Sequence, residues 1–314
     1  MSITVQNLTK AYGEQKAIDD ISFNVKTGEI LGFLGPNGAG KTTTMKIITC
    51  YMPPNSGTVE VDGLDIFDHS LEVRRKIGYL PEMNPLYHDM NVVDYLEYSA
   101  QLHGMKGASV KHRTKEMVRL CGLESVRHKD IGELSKGYRQ RVGLAQAMIH
   151  EPDVLILDEP TSGLDPNQIV EIRNLIKQLG RAKTVILSTH ILSEVQATCG
   201  RVLIINEGKI VADGSPEQLQ KDFQGAELLT IELKASSTDP VNQIAPKLKA
   251  LPSVTGAELI STKDSISRFA VHVEKGADVR EAAFQLAVSE GWILLEMHRK
   301  PTTLEEVFHK LTTS

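Results

Sequence analysis

The sequence predicts an α/β protein of two domains, a parallel-sheet domain over residues 1–222 and a smaller α+β domain over 223–314. Three observations predict it. The length of 314 residues suits about two domains at roughly 150 residues each. Three aliphatic runs, 29–34 (EILGFL), 154–157 (VLIL) and 184–187 (TVIL), lack the alternation of a half-buried strand and stop abruptly at glycine or polar residues. Continuous burial of this kind suits parallel strands covered on both faces. After Gly214-Ser215-Pro216 the pattern changes to strand, helix, strand, strand, helix, strand.

Taken in order, segments 3–12 and 17–25 alternate and are bounded by Gly13 and Thr27-Gly28, which predicts an antiparallel pair beside the parallel core. The run 29–34 enters a glycine cluster, 154–157 enters Asp158-Glu159, and 184–187 enters Ser188-Thr189-His190. A short helix over 217–223 leads into the second domain. There the expected elements are strand 228–233, helix 240–251, strands 257–261 and 268–273, helix 279–290 and strand 292–298. That βαββαβ order predicts a ferredoxin-like split arrangement. A last amphipathic helix, 303–311, follows Pro301, with Thr302 or Thr303 as its cap.

Composition excludes several functions. Hydrophobic residues at 41% and charged residues at 24% are those of a folded globular chain. With 35 Lys+Arg against 40 Asp+Glu, the net charge of -5 disfavours a nucleic-acid partner, because phosphate neutralisation needs a cationic surplus. No apolar run approaches the roughly 20 residues that cross a bilayer. The opening residues alternate like a strand, so no leader is expected. Three scattered cysteines, Cys50, Cys121 and Cys199, lack CxxC spacing and read as reduced thiols.

The chemistry is concentrated in two motifs. Residues 35–42 (GPNGAGKT) fit G-x-x-x-x-G-K-[ST] between an expected strand and helix. In such a loop the backbone amides of Gly35, Pro36, Asn37, Gly38, Ala39 and Gly40 (proline excepted) wrap a β-phosphate, and the following helix turns its positive end toward the anion. Lys41 supplies charge for the β- and γ-phosphates, Thr42 a hydroxyl for Mg²⁺, and Thr43 continues the phosphate-binding turn. In 154–160 (VLILDEP) an aliphatic strand ends in Asp158, placed for the same metal at the sheet edge where open α/β sheets bind ligands. Glu159 is the natural acceptor for a proton from attacking water. These motifs alone leave kinase, GTPase, helicase and transporter ATPase open.

Further motifs narrow the class. LSKGYRQR (134–141) precedes the second motif, while SGLD (162–165) and Ser188-Thr189-His190 follow it. Over about residues 1–220 the chain resembles the nucleotide-binding subunits of ATP-binding-cassette (ABC) transporters. The resemblance implies an ATPase with ATP and Mg²⁺, acting as a homodimer that sandwiches two nucleotides. Ser135 and Gly137 of one subunit then meet the γ-phosphate held by the other. It also makes His190 a switch histidine beside the γ-phosphate and attacking water, Asp165 an acid between the two sites, and Tyr12 an aromatic stacked on adenine. Two positions depart from the common pattern. Glu82 stands where the family usually has Gln, leaving a carboxylate that can still ligate Mg²⁺, and the signature reads Ser-Lys-Gly-Tyr instead of Ser-Gly-Gly-Gln. Both departures, with the extra C-terminal domain, look like the ABC-2-type exporter branch, and within it the chain resembles gliding-motility-associated ATP-binding components.

In that family the partner is a multi-span membrane permease, and the ATPase lies at the cytoplasmic face of the membrane. There segment 84–98 receives the permease; its apolar residues Val92, Val93, Tyr95 and Leu96 read rather as core of a helical subdomain, with Leu86 and Tyr87 as the expected contacts. The competing class is a soluble ABC ATPase of translation control or DNA repair; one cassette and no sustained heptads speak against it.

Overall fold

In the computed structural model, residues 2–223, 227–235, 240–263, 265–274, 276–300 and 303–312 are described. Contacts divide the chain into two units, Met1–Pro216 with Leu311–Ser314, and Glu217–Lys310. The division falls after Pro216, ahead of the boundary at 222 that the sequence suggests.

The first unit opens with the alternating strands β1 (Ile3–Tyr12) and β2 (Gln15–Val25), then β3 (Ile30–Leu34) and α1 (Lys41–Ile48). Next come β4 (Ser56–Val61), β5 (Leu64–Asp65), α2 (Ser70–Lys76) and β6 (Ile77–Leu80). Helices α3 (Val92–Leu102), α4 (Ala108–Leu120) and α5 (Lys136–Met148) follow as a largely helical insertion. The unit continues with β7 (Val154–Asp158), α6 (Pro166–Gly180), β8 (Thr184–Thr189), α7 (Leu192–Thr198), β9 (Arg201–Asn206) and β10 (Lys209–Gly214), and α8 (Pro216–Asp222) leads into the second unit.

Six strands form one sheet in the order β10-β9-β3-β8-β7-β6, parallel except for the β10 edge. A separate antiparallel sheet runs β2-β1-β4-β5. Side-chain alternation sorts the layers. Leu31, Phe33, Val154, Ile156, Ile186 and Leu203 pack with Met45 and Ile48 of α1 and with Val5, Ile21 and Val59 of the antiparallel sheet. The opposite face is so close to its helices that glycine is required. A Cβ on Gly32 would lie 2.8 Å from Val195 Cγ1 on α7, and one on Gly78 2.1 Å from the Ala147 carbonyl oxygen on α5.

The second unit contains β11 (Glu227–Lys234), α9 (Pro240–Gln243), α10 (Ala245–Lys249), β12 (Val254–Lys263), β13 (Ile266–Val273), α11 (Arg280–Ser289) and β14 (Ile293–Lys300). Its sheet order is β12-β13-β11-β14, with every neighbouring pair antiparallel. Leu229, Ile231 and Leu233 of β11 and Phe269, Val271 and Val273 of β13 pack against Leu248 and Ala283. The helix expected over 240–251 is broken in two. Pro246 lies in the first turn of α10 and lacks the N–H that a continuous helix would need there. A final helix, α12 (Leu304–Thr312), begins at a reciprocal capping box: Thr303 N–H donates to Glu306 Oε2, and Glu306 N–H to Thr303 Oγ1, both at 3.2 Å. Thr302, the alternative cap, lies outside the described residues.

Among the described residues no helix is long and apolar enough to cross a membrane.

Candidate functional site

The site begins where β3 gives way to α1. Gly35 must lack a side chain, because a Cβ would stand 2.4 Å from the Ile205 carbonyl oxygen. Gly40, the residue before α1, has φ +110° and would place a Cβ 2.4 Å from the Ala17 carbonyl oxygen. Both positions therefore force the backbone to form the loop without side-chain bulk. No side chain caps α1, and its first turn contains no acid. Its opening amides and positive dipole end are left for an anion.

Lys41 is buried at the start of α1, and its Nζ donates to the carbonyl oxygens of Gly35 (2.7 Å) and Pro36 (3.2 Å). It also lies 3.4 Å from Glu159 Oε1. The ammonium thus closes the loop on itself and meets Glu159, the second of two acids at the end of β7.

Those acids sit at the C-terminal end of the sheet. Asp158, fully buried, accepts a hydrogen bond from Ser188 Oγ through Oδ1, while its Oδ2 is buried without a hydrogen-bond partner. Glu159 follows with φ +48°, in the left-handed region that non-glycine residues rarely occupy. This turn sends its carboxylate to His190, whose Nδ1 lies 2.9 Å from Glu159 Oε2. An ionised carboxylate only accepts, so Nδ1–H is the donor. The His190 loop is tied down as well: Thr189 Oγ1 donates to buried Glu194 and accepts from Ile191 N–H, and Gly35 N–H donates to the Thr189 carbonyl.

Asn37, Gly38, Gly40, Lys41, Thr42, Thr43, Glu82, Glu159 and His190 line one cleft of about 460 Å³. A second cleft of about 530 Å³ shares Thr42 and Glu82 with it and reaches Asp158. Gly35, Pro36 and Ala39 shape the loop without lining either cleft. The donor set suits Mg²⁺. One hydroxyl (Thr42) and two carboxylates (Glu82 and Asp158) line one space, and Asp158 presents an orphaned oxygen. No group of three or more His, Cys, Asp or Glu residues among those described forms a metal cage. Mg²⁺ commonly takes one or two carboxylates and completes its shell with water and substrate phosphate.

Ser135 and Gly137 do not join this cleft within the chain. Ser135 caps α5, its Oγ accepting from Tyr138 N–H at 3.4 Å. Gly137 lines another cavity of about 460 Å³ with Asp165, Asn167 and Gln168. Tyr12 is half exposed, its hydroxyl 3.3 Å from Met52 Sδ and its ring under Lys10 Nζ at 5.7 Å. It does not line the phosphate cleft either.

One of the two expected permease contacts changes with the structure. Leu86 is buried, its N–H donating to the Asn84 carbonyl, and so offers little surface for the contact expected of it. Tyr87 is exposed and packs edge-on against Tyr95 at 5.9 Å and obliquely against Tyr98 at 5.8 Å. Sequence reasoning also passed over Ser188 as a mere strand end. The sequence shows only a hydroxyl two residues before His190; that its strand lies beside Asp158 is visible only in the sheet.

The family description "ABC transporter" matches residues 18–162. The bacitracin transport ATP-binding protein BcrA of Bacillus licheniformis is 40% identical over 221 residues, 70% of this chain and 71% of that protein. The Nod factor export ATP-binding protein I of Burkholderia orbicola is 31% identical over 316 residues, 99% of this chain and 96% of that one. Among solved structures, a dimeric ATP-binding cassette in a post-hydrolysis state with ADP and Pi aligns with a TM-score of 0.63 at 28% identity. That match covers 68% of this chain and 98% of the other.

Proposed function

The chain belongs to the ABC transporter family as an ATP-binding, ATP-hydrolysing subunit, and from that premise we propose how its residues divide the work. The convergence of Lys41, Thr42, Glu82, Glu159 and His190 on one cleft carries the reading. The triphosphate takes backbone N–H groups of residues 37–43 and the Lys41 ammonium, displacing the contacts Lys41 makes with its own loop. Thr42, Asp158 and Glu82 hold Mg²⁺, which when bound supplies positive charge to the phosphate oxygens. Glu159 accepts a proton from the attacking water, and His190, bonded to its carboxylate, orients that acid and faces the γ-phosphate. Tyr12 is assigned to the adenine ring.

Ser135 and Gly137 lie outside the cleft of their own chain, which supports a dimer in which each chain's α5 closes over the nucleotide of the other. The 1–222 segment is the nucleotide-binding domain. The 223–314 segment, on its strand order, is a ferredoxin-like accessory module. The relatives named for bacitracin transport and Nod factor export support an export role with a separate multi-span permease, and peripheral attachment at the cytoplasmic membrane face. Exposed Tyr87 is the permease contact. The gliding-motility assignment draws only on overall sequence likeness, and no residue of the site speaks for it.

Replacing Glu159 with Gln keeps the shape of the side chain and removes the proton acceptor. The variant, purified from native membranes in mild detergent with Mg-ATP, is expected to bind nucleotide, hydrolyse it about 10²–10⁴-fold more slowly, and co-purify with a stoichiometric membrane subunit. Recovery with ribosomes or nucleic acid would move the chain to the non-transport ABC ATPases. Wild-type turnover would remove Glu159 from its role.

A further inference from the structure

Asp158 and Glu159 are adjacent in sequence yet point to different tasks, and one side chain touches both. Register in the parallel sheet sets Asp158 directly beside Ser188. Ser188 is fully buried. Its hydroxyl donates to Asp158 Oδ1 and accepts from Glu159 N–H at 3.2 Å, while its own carbonyl takes the same N–H at 3.1 Å. A serine hydroxyl has one proton to give and lone pairs to receive, so both bonds form at once.

We propose that Ser188 is a positioning residue that aims both acids of the nucleotide site. Its donated bond uses Oδ1 of Asp158 and leaves Oδ2, the buried unpartnered oxygen, as the one directed to the metal. Its accepted bond pins the Glu159 backbone at φ +48°, from which the carboxylate reaches Lys41 and His190. Alanine at 188 would leave Asp158 with two unsatisfied oxygens at a fully buried position. It would also leave the strained Glu159 turn held by the Ser188-position carbonyl alone. Partners that orient a ligating carboxylate from behind are typically worth 10–100-fold in metal affinity.

This inference rests on the cleft being a Mg-ATP site, so the test separates the two. Wild type, Ser188→Ala and Ser188→Thr are compared as full-length chains. ATP affinity is measured in EDTA, and Mn²⁺ affinity of the protein–nucleotide complex is measured by electron paramagnetic resonance. The expected result for Ser188→Ala is unchanged metal-free ATP affinity with Mn²⁺ affinity weakened about 10–100-fold. Ser188→Thr, which keeps the hydroxyl, is expected within a few-fold of wild type. A purely structural role would move metal-free and metal-dependent binding together, and that result overturns the proposal. So does Ser188→Ala with wild-type Mn²⁺ affinity. Failure of the wild-type chain to bind ATP would instead overturn the reading of the cleft itself, and this inference with it.

Discussion

Helices α1 and α6 both follow strands of the same parallel sheet, β3 and β7, yet they begin in opposite ways. At α1 the N-cap is Gly40, with no side chain to offer and no acid in the first turn. At α6 the N-cap is Asp165, whose Oδ1 accepts from the N–H groups of Asn167 and Gln168 at 3.0 Å each, and Pro166 removes a further donor. Every helix start leaves several amides without intrahelical partners. In α6 the chain satisfies them itself, whereas in α1 they remain for a ligand, beside the Lys41 ammonium. The sheet edge supplies the location, and the residue at the cap decides whether an anion can use it. Helix α5 lies between these extremes: Ser135 caps it, but by a bond of 3.4 Å.

The largest expected effect tests the open helix start. Lys41→Ala removes the cation that the loop encloses and leaves the α1 amides in place. If amides and ammonium act together on the phosphates, hydrolysis falls by at least about 10²–10³-fold, and ATP titration by calorimetry shows productive binding lost. Undiminished turnover would break the comparison, because the uncapped helix would then not be the phosphate site.

A smaller effect is expected at α5, where the comparison can be sharpened. A Cβ on Gly137 would lie 2.6 Å from the Gln168 side chain on α6. The atoms met are the far end of a flexible side chain, which must swing aside, so Gly137→Ala is expected to slow turnover by no more than about tenfold while nucleotide affinity of the P-loop cleft is retained. Adding Gln168→Ala relieves the clash and should recover part of the loss. A double variant no faster than Gly137→Ala would show that Gln168 does not set the position of α5.

These contrasts were partly legible in the sequence. Parallel strands buried on both faces read as aliphatic runs, so 29–34, 154–157 and 184–187 marked β3, β7 and β8, and the polar residues after them marked the site. Short strands gave weaker signals. β6 has four residues including Gly78, and β5 only two, too few for any period to register. The break at Pro246 was readable but was outweighed by the surrounding helical pattern. Ser188 was not legible as a partner of Asp158, because that pairing depends on β7 lying next to β8 in a sheet whose spatial order departs from chain order. The burial of Leu86 was hidden for a similar reason: an apolar residue in a loop reads as exposed until a turn such as that on the Asn84 carbonyl is seen.

The smallest expected effect isolates the closed helix start. Asp165→Ala deletes both cap bonds of α6, which is worth about 0.5–2 kcal/mol, and lowers the melting temperature of the nucleotide-free protein by about 2–4 °C per kcal/mol for a unit of this size. Asp165→Asn keeps an oxygen able to accept both N–H groups and removes only the charge. If Asn melts near wild type and Ala does not, the cap holds α6, and any change in ATP turnover common to both variants belongs to the lost charge. If both melt alike and below wild type, the carboxylate acts on the helix dipole and not through its hydrogen bonds. The contrast between α1 and α6 would then be one of charge at two helix starts, with Asp165 offsetting the positive end of α6 and Lys41 adding to that of α1.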